Sequence, residues 1–315
     1  IQAAKDRGIR QVMINTNGVR IARDDRFLEG LAKLNPVVYF QFDGLRSETY
    51  QTLRGEDLLD LKMRALDRLN EAGLDAVLVA AVERGVNEDE VGPIIEFGLK
   101  HPAVRGVVLQ PVTHVGRHID FDPMQRVTIP DVIHGIVDQT NGRFVLEDFV
   151  PVPCCFSTCQ VNSYVFVDGD KVVPLPRMLG IDHYLDYITN RTLPKPPNSA
   201  DVQKALEGLW SASAVPGTEK AAGDFQCACG PGMDLGYELS YLKDHIFQIA
   251  IKDFMDAYTF SVKQVMKCCV GILVPDGRII PFCAYNSVGY REAIRDQLTL
   301  EQAKAPRPAK LQSKV

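Results

Sequence analysis

Apolar positions in the first third of the chain follow two rhythms. Short runs rich in β-branched residues, Gln11 to Asn15, Val37 to Phe42, Ala76 to Val82 and Gly106 to Gln110, predict strands buried on both faces. Between them, Leu59, Met63, Leu66 and Leu69 recur at three- and four-residue spacing, and Gly73 follows as a natural stop, which predicts a helix. Asn87 with Glu90 resembles a capping pair that opens another helix through Ile94, Ile95 and Leu99, with Pro93 in its first turns. Strand and helix alternate in βα order, which predicts a slice of a (β/α) barrel or an open α/β sheet. In either fold, functional groups gather at the C-terminal ends of the strands.

Past Asp122 the alternation stops and the chain becomes irregular, rich in Pro and Cys. Thr128 to Gly142 predicts a helix, and Val165 to Val173 a hairpin around Asp168-Gly169. A Pro-rich linker at Leu193 to Asn198 leads to a predicted helix at Ser199 to Trp210, and Tyr237 to Tyr258 reads as a long amphipathic helix. Val270 to Cys283 predicts a second hairpin turning at Pro275-Asp276-Gly277, with Cys283 ending its strand. The expected organisation is an α/β part at 1–121, an irregular α+β Cys-rich domain at 122–303, and a disordered basic tail at 304–315.

Composition narrows the function. With 46% apolar and 24% charged residues the 315-residue chain has a globular make-up, and its apolar runs are too short for a transmembrane segment. A net charge of −5 without a basic stripe gives no footprint for nucleic acid. The chain opens on Ile1-Gln2-Ala3-Ala4-Lys5 without an initiator Met or a targeting signal, in what reads as the end of a helix, so a longer protein is expected.

All eight cysteines lie in the second part: Cys154, Cys155, Cys159, Cys227, Cys229, Cys268, Cys269 and Cys283. Such clustering argues against scattered core thiols. A disulfide framework suits a small secreted domain better than this chain. Structural zinc favours paired Cys-x₂₋₄-Cys knuckles, whereas the runs here are Cys-Cys-x₃-Cys, Cys-x-Cys-Gly and Cys-Cys; zinc stays as the alternative metal. Thiolates from several loops suit iron–sulfur cubanes, and eight ligands divide into two [4Fe–4S] sets.

The residues also carry a resemblance. Ile14-Asn15-Thr16-Asn17-Gly18, Val38 to Gly44, Glu48 to Gly55 and Glu83 to Asn87, in this order, resemble the later βα units of the radical S-adenosylmethionine (SAM) barrel. Asp148 to Cys155, Cys268-Cys269-Val270 and Pro275 to Asn286 resemble the radical SAM group that contains archaeal tetraether lipid synthase and the pterin-methylating enzyme of methanogens. The resemblance implies a partial radical SAM barrel followed by an auxiliary-cluster domain. It implies SAM as cofactor, a 5′-deoxyadenosyl radical, and two auxiliary [4Fe–4S] clusters on the eight cysteines. The family's Cys-x₃-Cys-x₂-Cys motif is absent, so the radical-generating cluster is expected upstream and this piece alone is expected to be inactive.

By the same resemblance, Gln41 and Gln110 are the leading SAM contacts, with Asn15, Thr16 and Asp43 beside them. Side-chain amides both donate and accept, as ribose hydroxyls and a carboxylate require. Each has a plainer reading: Gln110 as a satisfied buried amide, Asn17-Gly18 as a turn, Asp43 as a loop cap. Glu83 and Arg84 could equally form an ion pair at the barrel rim. His114 and His118 read as loop histidines or a metal pair, and Tyr285, Asn286, Tyr290 and Arg291 follow Cys283 as substrate-cavity candidates. The implied reaction is carbon–carbon bond formation at unactivated carbons, joining lipid chains or transferring a carbon unit, for example to a pterin. The expected partners are an electron donor such as ferredoxin or flavodoxin and a small-molecule or lipid substrate. The location is expected to be cytoplasmic, and peripheral to the membrane for a lipid substrate. The competing reading is a noncatalytic iron–sulfur electron carrier or a zinc-stabilised binding module.

Overall fold

The structure, a computed structural model, describes residues 1–9, 11–115, 122–152, 156–179 and 245–304. The chain divides into two compact units, Ile1–Val112 with Met124–Asp253, and Thr113–Pro123 with Phe254–Val315.

The first unit is mixed α/β. Strands β1 (Met13–Thr16), β2 (Val37–Gln41), β3 (Ala76–Val82) and β4 (Val104–Pro111) pair side by side and in parallel. Helices α1 (Gln2–Lys5), α2 (Val19–Arg23), α3 (Asp25–Leu34), α4 (Ser47–Arg54), α5 (Leu59–Glu71) and α6 (Val91–Lys100) complete the alternation. The strands form within a few residues of where predicted, but one face alone is fully buried: Val38, Phe40, Leu78, Ala80, Val107 and Leu109 alternate onto it, while Tyr39, Val77, Val79 and Ala81 on the other face are partly exposed, which corrects the expected burial on both faces. Gly73, with φ of 65°, ends the α5 turn in the left-handed region that a residue with a Cβ resists. The pairing expected between Asn87 and Glu90 does not cap a helix. Glu90 instead turns its carboxylate to the amide of Leu45 at 2.5 Å, and α6 begins at Val91.

The sheet continues past residue 122. Strand β5 (Val150–Pro151) pairs antiparallel with β6 (Gln160–Asp168), which turns at Gly169 into β7 (Lys171–Pro174); α7 (Ile129–Gln139) and α8 (Leu175–Leu179) flank them. Strand β8 (Ile246–Lys252) lies between β4, to which it is parallel, and β6, to which it is antiparallel. The long helix expected over Tyr237 to Tyr258 is therefore corrected in its described part. Phe247, Ile249 and Ile251 alternate into the core with period two, and the slot between two strands supplies the backbone partners that a helix would leave unused. Gly106 permits the approach of β8, since a Cβ there would stand 2.7 Å from the Gln248 carbonyl. The boundary expected between 121 and 122 moves for the same reason, because β5 to β8 share the sheet of the first unit.

In the second unit, α9 (Val262–Val265) precedes the antiparallel hairpin of β9 (Gly271–Leu273) and β10 (Ile279–Pro281), then α10 (Phe282–Ser287) and α11 (Tyr290–Lys304). The hairpin turns where predicted. Cys283, however, stands in the first turn of α10 rather than at a strand end, because Pro281 closes the ladder and serves as the helix N-cap position. Val274, Ile280, Ala284 and Ile294 form the buried core of this unit. The predicted linker at Leu193 to Asn198, the helix at Ser199 to Trp210 and the tail beyond Lys304 lie outside the described residues.

Candidate functional site

The C-terminal ends of the parallel strands open into a cavity of about 590 Å³ lined by Asn15, Thr16, Asn17, Gln41, Arg54, Val79, Ala81 and Gln110. Pairing explains the convergence. Gln41 lies opposite Val79 and Gln110 opposite Ala81, so the short side chains of Val79 and Ala81 on β3 leave room between two amides on its neighbours. Gln110 Nε2 donates to the Tyr39 hydroxyl at 2.9 Å, and burial pushes that phenol up to about 12.

Asp43 sits immediately behind Gln41. It is fully buried, takes Arg54 in a two-pronged ion pair at 2.7 and 2.8 Å, and accepts the Ala81 amide at 3.1 Å and the Gln41 side-chain amide at 3.2 Å. With its oxygens so engaged, Asp43 orients Gln41 and Arg54 and is not among the lining residues. Among the described residues, Arg54 Nη1 bonds to no acceptor, which leaves donors for an acceptor in the cavity. Lys62, on α5, is fully buried beneath the same wall. Its Nζ donates to the Asn17 carbonyl at 2.8 Å, stands 3.5 Å from Gln41 Oε1, and lies over the rings of Phe40 and Tyr50 at 5.4 and 5.9 Å. Burial lowers the Lys62 ammonium to about 8, with Asp43 opposing the shift and Arg54 adding to it.

The loops around the cavity are fixed by buried polar groups. Asn87 donates to the carbonyls of Asp43 and Ala81, both at 2.7 Å, and accepts the Glu83 amide at 2.9 Å, tying the ends of β2 and β3 together. The Thr16 hydroxyl accepts the Gly18 amide and Asn17 accepts that of Val19, so the turn after β1 is held from within. Gly18 has φ of 80° and abuts the Phe40 ring, where a Cβ would collide.

Of the residues expected to contact SAM, the cavity brings Asn15, Thr16, Gln41 and Gln110 together, with Asp43 behind them. Arg84 does not close a rim pair with Glu83: it reaches the Gln125 and Arg126 carbonyls and pairs with Asp131 at 3.2 Å. In the second unit, the His114 amide donates to Asp256 at 3.2 Å, while His118 lies outside the described residues. Tyr285 and Asn286 sit on α10 and Tyr290 and Arg291 on α11; the Asn286 amide turns back to the Phe282 carbonyl.

Cys154, Cys155, Cys227 and Cys229 lie outside the described residues. In the first unit, Cys159 is buried with its Sγ 2.9 Å from Lys252 Nζ. In the second, the Phe282 amide bonds to the Val270 carbonyl, which brings the Cys268-Cys269 pair and Cys283 to the same end of the hairpin. Cys283 is buried and accepts the Met255 amide at 3.4 Å, and Cys269 is exposed. Among the described residues, no three His, Cys, Asp or Glu side chains converge to hold a metal ion. None of the described helices is long and apolar enough to cross a membrane.

Arg54, Tyr39 and Lys62 are the site residues that periodicity does not single out. Lys62 left one sign: it falls three after Leu59 and four before Leu66, a charge inside the apolar stripe of a helix.

No family model matches the sequence. The 7,8-dihydro-6-hydroxymethylpterin dimethyltransferase of Methanocaldococcus jannaschii is 30% identical to the chain over an alignment that takes in 95% of the chain. The chain spans 65% of that relative's length. Among solved structures, a domain of pyruvate-formate lyase-activating enzyme from Bacteroides vulgatus superposes with a TM-score of 0.34 at 15% identity, covering 44% of this chain and 80% of that domain. A superposition of that extent says nothing about chemistry.

Proposed function

We propose that the chain is the SAM-binding and auxiliary-cluster portion of a radical SAM methyltransferase whose substrate is a reduced pterin or a similar flat heterocycle. The observation that carries this reading is the polar cavity at the strand ends, where four amides, a hydroxyl and a guanidinium converge. Its volume of about 590 Å³ is in the range that takes a nucleoside-sized ligand. The similarity to a pterin dimethyltransferase, spread over 95% of the chain, supports the same reaction class.

The donor set fits SAM. Gln41, Gln110, Asn15 and Thr16 would meet ribose hydroxyls and the amino-acid group, and Arg54 would meet the carboxylate. When bound and reduced at a [4Fe–4S] cluster, SAM supplies a 5′-deoxyadenosyl radical that removes hydrogen from carbon. These groups would hold the cofactor at the C-terminal ends of β1 to β4. Asp43 keeps Arg54 and Gln41 in place through the turnover.

The eight cysteines would hold two further [4Fe–4S] clusters. The chemistry of the donors is right in the second unit, where the hairpin gathers Cys268, Cys269 and Cys283 at one end and the Met255 amide points at Cys283 sulfur, as amides commonly do around iron–sulfur ligands. A low-potential one-electron donor of the ferredoxin or flavodoxin class would reduce the system.

The test uses a longer polypeptide that includes a Cys-x₃-Cys-x₂-Cys run, since none occurs in these 315 residues. Reconstituted anaerobically with iron and sulfide and given a low-potential one-electron reductant, it should turn SAM and a reduced pterin into methionine, 5′-deoxyadenosine and a methylated pterin, read by mass spectrometry. The 315-residue chain, reconstituted alone, should carry about eight iron with matching sulfide. Stoichiometric zinc without sulfide would remove the cluster assignment, and failure of the longer protein to cleave SAM would remove the enzyme.

A further inference from the structure

A buried ammonium beneath a binding cavity needs a reason, because an unpaired charge in the interior costs several kcal/mol. Among the described residues, Lys62 Nζ bonds to no carboxylate. Asp43, the nearest acid, is engaged by Arg54 on both oxygens, and Lys62 settles for the Asn17 carbonyl, the Gln41 amide oxygen and two ring faces. The charged groups that act on Lys62 are Asp43, just past β2, and Arg54, on α4. Tyr50, also on α4, stays a neutral phenol because burial pushes it up. One acid against two bases leaves the cavity wall with one positive charge in excess.

We propose that Lys62 is a positioning residue that fixes Gln41 and the Asn17 backbone and gives the strand-end cavity its excess positive charge, so that the cavity selects ligands bearing a carboxylate. The inference rests on the reading of this cavity as the SAM site, and it deepens that reading by naming the group that discriminates. Lys62 acts through the wall and does not itself touch the ligand. An anion arriving in the cavity stabilises the protonated form of Lys62, so binding takes up protons where the empty protein has begun to lose them. For the empty protein that range centres on about 8.

The experiment is calorimetry on the full chain with S-adenosylhomocysteine, which carries the amino-acid carboxylate, and 5′-methylthioadenosine, which lacks it. Wild type should prefer S-adenosylhomocysteine, and near pH 8.5 only that ligand should bind with proton uptake, read from buffers of different ionisation enthalpy. Lys62→Met should weaken S-adenosylhomocysteine by about 3- to 10-fold, a charge removed at several ångströms, and leave methylthioadenosine nearly unchanged. Proton uptake should fall in that variant to whatever the ligand's own amino group contributes, and Lys62→Arg should restore most of the preference.

Equal losses for both ligands would reduce Lys62 to a packing residue and overturn the proposal. Wild type that binds S-adenosylhomocysteine without proton uptake overturns it too, and that measurement needs no variant to fold. Failure of wild type to bind either ligand is a different outcome: the SAM reading of the cavity then falls, and the proposal with it.

Discussion

The two units solve the problem of holding a functional group in opposite ways. Behind the cavity, the buried Asp43, Asn87 and Glu90 are each fixed by several hydrogen bonds. In the second unit the buried core is Val274, Ile280, Ala284 and Ile294, while Met266, Leu273 and Ile279 are 82%, 72% and 72% exposed. A core that small stabilises little, and domains of that kind generally rely on cross-links or metals. The first unit is thus organised before any ligand arrives, and in the second the proposed clusters would supply what its small core leaves out.

That contrast is broken most directly by removing the metal. In chain reconstituted with iron and sulfide, amides of β9, β10 and α10 should be protected from hydrogen exchange, and a chelator should raise their exchange by about 100-fold or more. Strands β1 to β4 should not change. Cys283→Ser should behave like partial chelation. Equal protection of the hairpin with and without metal would show that its small core suffices and would erase the difference between the units.

Within the first unit, the sharpest probe is Asp43→Asn. The substitution keeps the shape but removes the charge that holds Arg54, and it should cost about 3 kcal/mol in urea unfolding, less than a fully buried pair because Arg54 is partly exposed. The cavity should loosen at the same time, so S-adenosylhomocysteine binding should fall. A loss below about 0.5 kcal/mol would mean that Asp43 is carried by its backbone contacts rather than by the ion pair.

Much of this architecture could be read in the sequence, and the exceptions have physical causes. Strands β2 to β4 were legible because they write short runs rich in β-branched residues, although full burial is confined to one face, and both hairpins because Asp-Gly marks the turn. Strand β8 reads like a helix because Phe247, Ile249, Ala250 and Ile251 satisfy either period over a short window. Only the presence of β4 and β6 on its two sides decides the matter, and that is tertiary information. In the site, Gln41 and Gln110 were recognisable by their place at strand ends. Arg54 and Lys62 arrive from helices, and the contacts that bring them to the wall are long-range.

Lys62 also makes the first unit's stability depend on pH in an unusual direction. Its ammonium is lowered to about 8 in the folded protein, against an ordinary value of 10.5. Between those values the unfolded chain binds more protons, so folding stability rises as pH goes from 8 to 10, by about 2 kcal/mol. Above pH 10 the buried Tyr39, held up to about 12, works the other way: the folded state keeps a proton that the unfolded chain releases, and stability falls. Denaturant midpoints measured at pH 8, 9 and 10 should climb in wild type and stay flat in Lys62→Met. A flat wild-type profile would mean that Lys62 keeps its ordinary affinity for protons and is better solvated than its burial suggests.

The smallest effect compares helix caps in the two units. Thr128 accepts the Asp131 amide and Asp131 returns a bond to the Thr128 amide, a reciprocal box at the start of α7. Ser261 caps α9 with a single long bond of 3.4 Å to Gln264. Thr128→Ala should lower global stability by about 1 kcal/mol, because α7 packs its Ile129, Val132 and Ile136 into the main core and unfolds with it. Ser261→Ala should leave the main urea transition unmoved and only speed exchange in and near α9, because among the described residues the second unit contributes no strand to the main sheet. If both substitutions shifted the main transition alike, the units would be unfolding as one, and the smaller unit would owe its stability to the larger rather than to metal.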